Sequence, residues 1–164
     1  MHLTAQVRHA ADVDRVAALL ADERFVAEKV GSTGALQQQV DVVGTSDEAF
    51  TVTTRRQMPT TAVPPQFRSL LGSTLEVRQV EAWEPPAPGE RRGTVVVEIT
   101  GAPVRLTGTM RLVQEDDGTT TQEYDGELKA SVPLFAAAVE QATAGAIREA
   151  IRVEEQTAAA WLRR

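Results

Sequence analysis

The sequence contains no cysteine and only two histidines, and each shortage removes a class of chemistry. Without thiols the chain forms no disulfide, offers no thiolate to zinc or an iron–sulfur cluster, and has no cysteine nucleophile. His2 and His9 both lie near the N-terminus, so no histidine-based metal motif is present either. We therefore expect no metal site and no cofactor, and no catalytic residue is assigned from a motif.

An excess of basic residues and a long hydrophobic run are also missing. The chain has 17 Lys and Arg against 23 Asp and Glu, which argues against a nucleic-acid partner. No apolar run approaches the length of a membrane span, and no basic segment followed by an apolar stretch opens the chain. These absences predict a cytoplasmic protein without a transmembrane segment. The length of 164 residues predicts one domain, residues 1–164, with a sizeable core. No feature indicates the oligomeric state.

The first part of the sequence predicts one strand followed by two short helices. Apolar and polar residues alternate over residues 3–8, the period of a half-buried strand. Asp12 and Asp22 are suitable N-caps for two short amphipathic helices, and Gly31 and Gly34 are expected to end the second one.

Six further strands are predicted from alternating patterns and turn residues. They are expected at residues 36–42, 50–58, 74–83, 93–100, 104–114 and 119–130. A proline-containing connection at residues 59–72 interrupts them, and its Phe67, Leu70 and Leu71 have helical spacing. Short turns favour antiparallel neighbours, so the pattern indicates an antiparallel sheet.

A long amphipathic helix over most of residues 133–162 closes the chain, about 45 Å in length if unbroken. Its apolar residues, many of them alanine, cover about half of the helix circumference. Two interpretations of the alanines are open. Small side chains let the helix lie close to the sheet, or they leave room for an apolar pocket.

Glu154 is an acidic residue well inside this apolar arc, with Thr143 on the same side. A carboxylate there must be paired, hydrated or neutralised. Either the helix end emerges into water at Glu154, or Glu154 is a polar anchor in a pocket. Arg56 and Gln38 share strand faces with apolar residues, so they are its candidate companions, unless each lies past the edge of the core. The hydroxyl of Tyr124 either points into a cavity or caps the core.

The side chains expected to line a cavity come from three strands, the connection at residues 59–72 and the closing helix. They are Gln38, Val40, Phe50, Val52, Arg56, Phe67, Tyr124, Val139, Ala142, Thr143, Ala146, Ala150 and Glu154.

Several short motifs carry a resemblance to a known family. They are Asp-Glu-Arg-Phe-Val at residues 22–26, Met-Pro at 58–59, Glu-Ala-Trp at 81–83, and Gly-Glu-Leu-Lys-Ala-Ser-Val-Pro-Leu at 126–134. With the order of elements, they resemble the START-like, birch-pollen-allergen-like (SRPBCC) superfamily and, within it, an actinobacterial family of unknown function. The resemblance covers nearly the whole chain. It implies an α+β helix-grip fold, in which a curved seven-stranded antiparallel sheet wraps around a long C-terminal helix, with two short helices after the first strand.

The resemblance also implies a cavity between the sheet and the closing helix. Members of the superfamily use such a cavity to bind lipids, hormones, polyketides or quinones, and a few catalyse cyclisation or dehydration. The segment at residues 59–71 would then be a flap over the mouth of the cavity. The alternative is a loop that packs Phe67 and Leu70 against the edge of the core.

Three functions remain open, because a fold does not choose among them. The leading hypothesis is a non-enzymatic binder or carrier of an apolar small molecule of the lipid, isoprenoid, quinone or polyketide class. The second is an enzyme of cyclase or dehydratase type, in which Glu154 with Arg56 or Tyr124 supplies acid–base groups. The third is a protein-interaction module with a vestigial cavity.

Overall fold

The computed structural model describes residues 1–164 apart from the side chains of Ala62 and Leu70. The order of elements is β1 (His2–His9), α1 (Val13–Leu20), α2 (Glu23–Ser32), β2 (Gln37–Gly44), β3 (Phe50–Pro59), a 3₁₀ turn (Thr60–Ala62), α3 (Pro65–Leu71), β4 (Thr74–Trp83), β5 (Glu90–Thr100), β6 (Val104–Gln114), β7 (Thr120–Ala130) and α4 (Ala136–Leu162). The predicted α+β helix-grip architecture, with its seven strands and long closing helix, is confirmed.

All seven strands form one antiparallel sheet in the order β1-β7-β6-β5-β4-β3-β2. The strands from β2 to β7 therefore pair with their neighbours in sequence, as the short turns predict. The strands β1 and β2 lie at opposite edges, so α1 and α2 carry the chain from one edge of the sheet to the other. Because this connection crosses the sheet, the two short helices cover one end of it.

Each of the two short helices begins at the predicted cap. The side chain of Asp12 accepts a hydrogen bond from the backbone N–H of Arg15 at 2.8 Å, and Asp22 accepts one from that of Arg24 at 2.9 Å. Such caps satisfy amide groups that have no partner inside the helix. The capping residue alone was therefore enough to predict where each of the two helices begins.

A pair of glycines lies near the middle of two adjacent strands, Gly108 on β6 directly opposite Gly126 on β7. A Cβ on Gly126 would come within 2.9 Å of the carbonyl oxygen of Thr107, and one on Gly108 would collide with the backbone of Asp125. Glycine is required here because the two backbones approach too closely for a side chain.

The inner side of the sheet holds two groups of buried apolar side chains. One, which we call the packed end, joins the helices α1 and α2 to the sheet and to the C-terminal part of α4; it includes Phe25, Trp83, Leu112 and Ala158. The other involves the N-terminal part of α4 and contains Leu3, Val104, Leu106, Leu128, Ala130 and Ala144.

The helix α4 turns a different face to the sheet from the one its alanines suggest. Ala144 and Ala158 are fully buried, whereas Ala142 and Ala146 remain more than a third accessible. The apolar arc of α4 is therefore wider than the strip of the helix that packs against the sheet. The apolar residues on one side of the arc do not touch the sheet. None of the described helices is both long enough and apolar enough to span a membrane.

Candidate functional site

A cavity of about 610 Å³ lies between the sheet, α4 and the connection from β3 to β4. Its walls are largely apolar: Val52 of β3, Val97 of β5 and Leu106 of β6 face Ala146 of α4 across it. Small-molecule sites in proteins typically enclose about 300–1,000 Å³. The cavity thus has the size and the lining of a site for an apolar small molecule.

The alanines of α4 explain why this space is open. Ala142, Ala146 and Ala150 lie along the flank of the helix that faces the cavity, and their side chains are too short to reach the sheet. Ala144, about 160° away from Ala142 and Ala146 around the helix axis, packs directly against the sheet. Both interpretations of the alanines therefore apply, each to a different row of the same helix.

Most of the side chains predicted to line a cavity lie on it. They are Val52, Arg56, Phe67, Tyr124, Val139, Ala142, Thr143, Ala146, Ala150 and Glu154. Contact of these residues with a ligand remains a prediction.

The placement of Phe50, Val40 and Gln38 differs from the prediction. Phe50 stacks on Trp83 in the packed end, with ring centroids 6.3 Å apart, and Val40 packs against the same group. Gln38 lies opposite Arg56 on the edge strand β2 and is exposed. The alternation along a strand gives the face of a side chain, but it does not give its distance from the edge or the end of the sheet.

Glu154 is buried, with 8 % of its surface exposed, so the interpretation that it lies in water is wrong. Lys29 of α2 donates a hydrogen bond from Nζ to Glu154 Oε1 at 3.2 Å. The same Nζ lies 3.9 Å from Glu81 Oε1 on β4. Burial alone would lower the pKa of Lys29, but the charges of the two carboxylates outweigh it and raise the pKa above 10.5.

Tyr124 joins this pair from β7. Its hydroxyl lies 3.4 Å from both carboxylate oxygens of Glu154 and donates to them, while Gln122 Nε2 donates to the hydroxyl oxygen at 2.6 Å. The Oε1 of Gln122 then accepts from Nε2 of the buried His9 at 2.8 Å. Burial, followed by the negative charge of Glu154, raises the pKa of Tyr124 well above 10.0. The hydroxyl therefore keeps its proton and is a hydrogen-bond donor.

Arg56 reaches the same end of the cavity from β3. Its NH2 group donates to Gln79 Oε1 at 3.3 Å, and Gln79 Nε2 donates to Glu81 Oε1 at 2.6 Å. Burial lowers the pKa of Arg56, and the nearby carboxylates of Glu154 and Glu81 only partly oppose this. Arg56 is thus a partly buried cation held in place through Gln79. We call the cluster of Lys29, Arg56, Gln79, Glu81, Tyr124 and Glu154 the polar end of the cavity.

Three members of the polar end, Lys29, Gln79 and Glu81, are absent from the set of predicted cavity residues. A signal for them was present, since Glu81 alternates in phase with Trp83 on β4, and Lys29 follows Phe25 and Val26 at helical spacing. A charged residue on the apolar face of an element requires a partner of opposite charge. Two such residues of opposite sign, on separate elements, were therefore candidates for a pair.

The segment between β3 and β4 contributes Val63, Phe67 and Leu71 to the cavity wall. Phe67 of α3 meets Phe135, the residue before α4, edge to face at 6.0 Å between ring centroids. The segment thus contacts the start of α4 beside the cavity. A flap role for it remains a prediction, and the expected packing of Leu70 falls outside the described side chains.

The chemistry available at the polar end is that of donors and carboxylates. Among the described residues, no group of three His, Asp or Glu side chains is placed to hold a metal ion. The guanidinium of Arg56 offers hydrogen bonds to an oxygen atom, and Glu154 with Tyr124 forms an acid–base pair.

Comparison with known proteins supports a fold assignment. A comparison with curated proteins gave no match in sequence. Among solved structures, the protein TTHA0849 of Thermus thermophilus has a TM-score of 0.65 at 14% identity, over 98% of each chain. The Zhui aromatase/cyclase of Streptomyces sp. R1128 has a TM-score of 0.59 at 14% identity, over 98% of this chain and 92% of that one.

A START superfamily protein of Mycobacterium smegmatis is similar as well, with a TM-score of 0.56 at 10% identity over 94% of each chain. At these identities the similarity establishes the START-like fold alone. The family model described as "Protein of unknown function (DUF2505)" matches residues 4–162. The chain therefore belongs to this family of proteins of unknown function.

Proposed function

We propose that the protein binds or carries an apolar small molecule, of the lipid, isoprenoid, quinone or polyketide class, in the cavity between the sheet and α4. The observation that carries the proposal is the open cavity of about 610 Å³ with largely apolar walls. An empty apolar space of this size is costly to a folded protein, because its lining loses packing contacts. A bound apolar molecule restores them.

Native mass spectrometry of freshly purified protein tests the proposal. We expect a species heavier than the chain by the mass of a small molecule, and the same molecule should appear in an organic extract of the protein. A denatured and refolded sample serves as the control, since it should lack the added mass and regain thermal stability when a matching lipid, isoprenoid or quinone is added. Repeated absence of a bound molecule, together with no thermal shift from such a panel, would overturn the proposal.

A second candidate function is acid–base catalysis of the cyclase or dehydratase type. The observation that favours it is that Glu154, Tyr124 and Arg56 meet at one end of the cavity. A carboxylate beside cationic donors is suited to take a proton from carbon next to a carbonyl group. The Zhui protein, which has the same fold, is an aromatase/cyclase by its name.

Deuterium exchange distinguishes catalysis from binding alone. A medium-chain methyl ketone is incubated with the protein in heavy water, and its deuterium content is followed by mass spectrometry. An enzyme would accelerate the exchange, and the Glu154→Gln variant would lose the acceleration. Exchange no faster than in buffer would leave the binder as the only supported function.

The interaction-module hypothesis has no such support. The outer face of the sheet carries ion pairs, for example Arg105 with Glu98 at 3.0 Å and Arg111 with Glu123 at 3.9 Å. A solvated face of this kind is not an apolar docking patch.

A further inference from the structure

The charges at the polar end of the cavity are balanced without a ligand. Lys29 and Arg56 supply two cations, and Glu81 and Glu154 supply two carboxylates. A ligand carboxylate would add an unbalanced negative charge beside Glu81 and Glu154, and a ligand ammonium would add a positive one beside Lys29 and Arg56. Burying an unpaired charge costs several kcal/mol, so the balance selects against both.

The groups at the polar end differ in how open they are to hydrogen bonds from a ligand. Glu154 already accepts from Lys29 and Tyr124, and Glu81 accepts from Gln79. The proton of Tyr124 is directed at Glu154, because Gln122 occupies the other side of the hydroxyl oxygen. These groups bond to one another, and Lys29, Glu81 and Glu154 are each at most 8 % exposed, so little of their surface is open to a ligand.

Arg56 is more accessible than these groups, because it is only half-buried. Among the described side chains it makes one hydrogen bond, to Gln79 Oε1, although a guanidinium carries several N–H donors. It lines the cavity, and no described carboxylate forms a close ion pair with it. The donors at the polar end that a ligand can reach most readily are therefore on one planar group, which Gln79 orients.

We propose, building on the binding function above, that the ligand is an apolar molecule with an uncharged carbonyl oxygen, which accepts hydrogen bonds from Arg56. A ketone, quinone, ester or amide satisfies the free donors without disturbing the charge balance. Its apolar body extends from Arg56 along Val77, Val97 and Ile99 toward the alanine row of α4. The carbonyl sets the orientation, and the hydrophobic effect supplies most of the affinity.

A series of three probes with the same number of carbon atoms tests the proposal on the wild-type protein. The probes are methyl decyl ketone, dodecanoate and dodecylamine, with affinities measured by isothermal titration calorimetry near neutral pH. We expect the ketone to bind at least about tenfold more tightly than either charged probe. Equal or tighter binding of dodecanoate or dodecylamine would overturn the inference and leave the binding function intact. Failure of all three probes to bind, in protein that also carries no co-purified molecule, would overturn both.

Substitution of Arg56 provides a second, independent measurement. The Arg56→Met variant should lose about tenfold to a hundredfold in affinity for methyl decyl ketone, the cost of a hydrogen bond to a charged donor. The Arg56→Lys variant keeps the charge but loses the planar fork, so an intermediate loss is expected. Arg55→Met is the matched control, because Arg55 is the neighbouring residue on β3 and is exposed on the opposite face. Unchanged ketone affinity in folded Arg56→Met protein would overturn the inference.

Discussion

The two ends of the space under the sheet are built from the same strands and the same helix, yet one is solid and the other is hollow. At the packed end, Phe25 of α2 meets Trp161 of α4 edge to face at 5.9 Å, and Trp83 stacks on Phe50. At the hollow end, α4 presents alanines, and the sheet and helix enclose about 610 Å³. The difference comes from α1 and α2, whose side chains fill the concave side at one end only.

The polar end of the cavity forms the boundary between these two regions. Lys29 projects from α2, a helix of the packed end, and pairs with Glu154 on α4 and Glu81 on β4. Three elements are thus tied together where apolar packing stops. The cavity in this protein therefore depends on where the apolar packing ends as much as on the residues that line it.

The largest expected effect is at this boundary. The Lys29→Met substitution leaves two buried carboxylates with reduced compensation, so we expect the free energy of unfolding to fall by about 3–5 kcal/mol. Chemical denaturation measures the change. The double variant Lys29→Met with Glu154→Gln removes one charge of each sign and should recover a large part of the loss. A loss below about 1 kcal/mol for the single variant would show that the pair is not buried as the structure has it.

The second-largest effect is expected from truncating apolar side chains, which should cost more stability at the packed end than beside the cavity. Leu112 is fully buried in the packed end, and Leu112→Ala should cost about 2–5 kcal/mol in the free energy of unfolding. Leu75 lines the cavity, where truncation merely enlarges an existing space, so Leu75→Ala should cost less than half as much. The same denaturation measurement serves for both. Equal costs would indicate that the hollow end is packed in solution.

Replacing alanines of α4 with a larger residue tests the same difference between packed and open regions by adding volume and not removing it. Ala144 is fully buried against the sheet, so Ala144→Phe should destabilise the fold by about 1–3 kcal/mol through overpacking. Ala146 faces the cavity, so Ala146→Phe should change stability by less than about 0.5 kcal/mol.

Binding supplies the second readout for this pair of alanines. Ala146→Phe should weaken the binding of a cavity ligand by about tenfold or more, measured by calorimetry with methyl decyl ketone. Tight binding that survives Ala146→Phe would mean that the ligand does not occupy this part of the cavity.

The smallest effect is expected from alkaline pH. Lys29 and Tyr124 both have pKa values raised above 10.5 and 10.0 in the folded protein, so the folded state holds these protons more tightly than the unfolded state. Their contribution to stability is complete below pH 10 and is lost as the pH rises through the folded pKa values. Each proton accounts for at most about 1.4 kcal/mol per pH unit. Denaturation measured from pH 9 to 11 checks this, and Tyr124→Phe should flatten the decline.

Much of the architecture could be predicted because its signals are local. The caps at Asp12 and Asp22 and the period of the closing helix lie within a few residues of the structures they specify. The closing helix was predicted over most of residues 133–162 and α4 occupies Ala136–Leu162, so only its exact first residue was left open. Capping depends on the positions of neighbouring groups, which an alanine-rich sequence leaves open.

The candidate site was only partly predictable for the same reason. Ala142 and Ala144 are identical in sequence terms and two residues apart, yet one faces the cavity and the other is packed. Their side chains project about 160° apart around the helix axis, so the rotation of the helix decides which one is packed. Contacts such as Phe25 with Trp161 fix this rotation. Likewise, Glu154 is buried because Lys29, distant in sequence, meets it there.

The strands, the helices, their order and the absence of thiol chemistry follow from the amino-acid sequence, because hydrophobic period, caps and composition are properties of short segments. Three features depend on tertiary contacts instead: which alanines border the cavity, the place of Lys29 and Glu81 at its polar end, and the position of Phe50, Val40 and Gln38 away from it. Those outcomes depend on the distance between elements and on the pairing of buried charges. Both arise only when segments far apart in sequence are brought into contact.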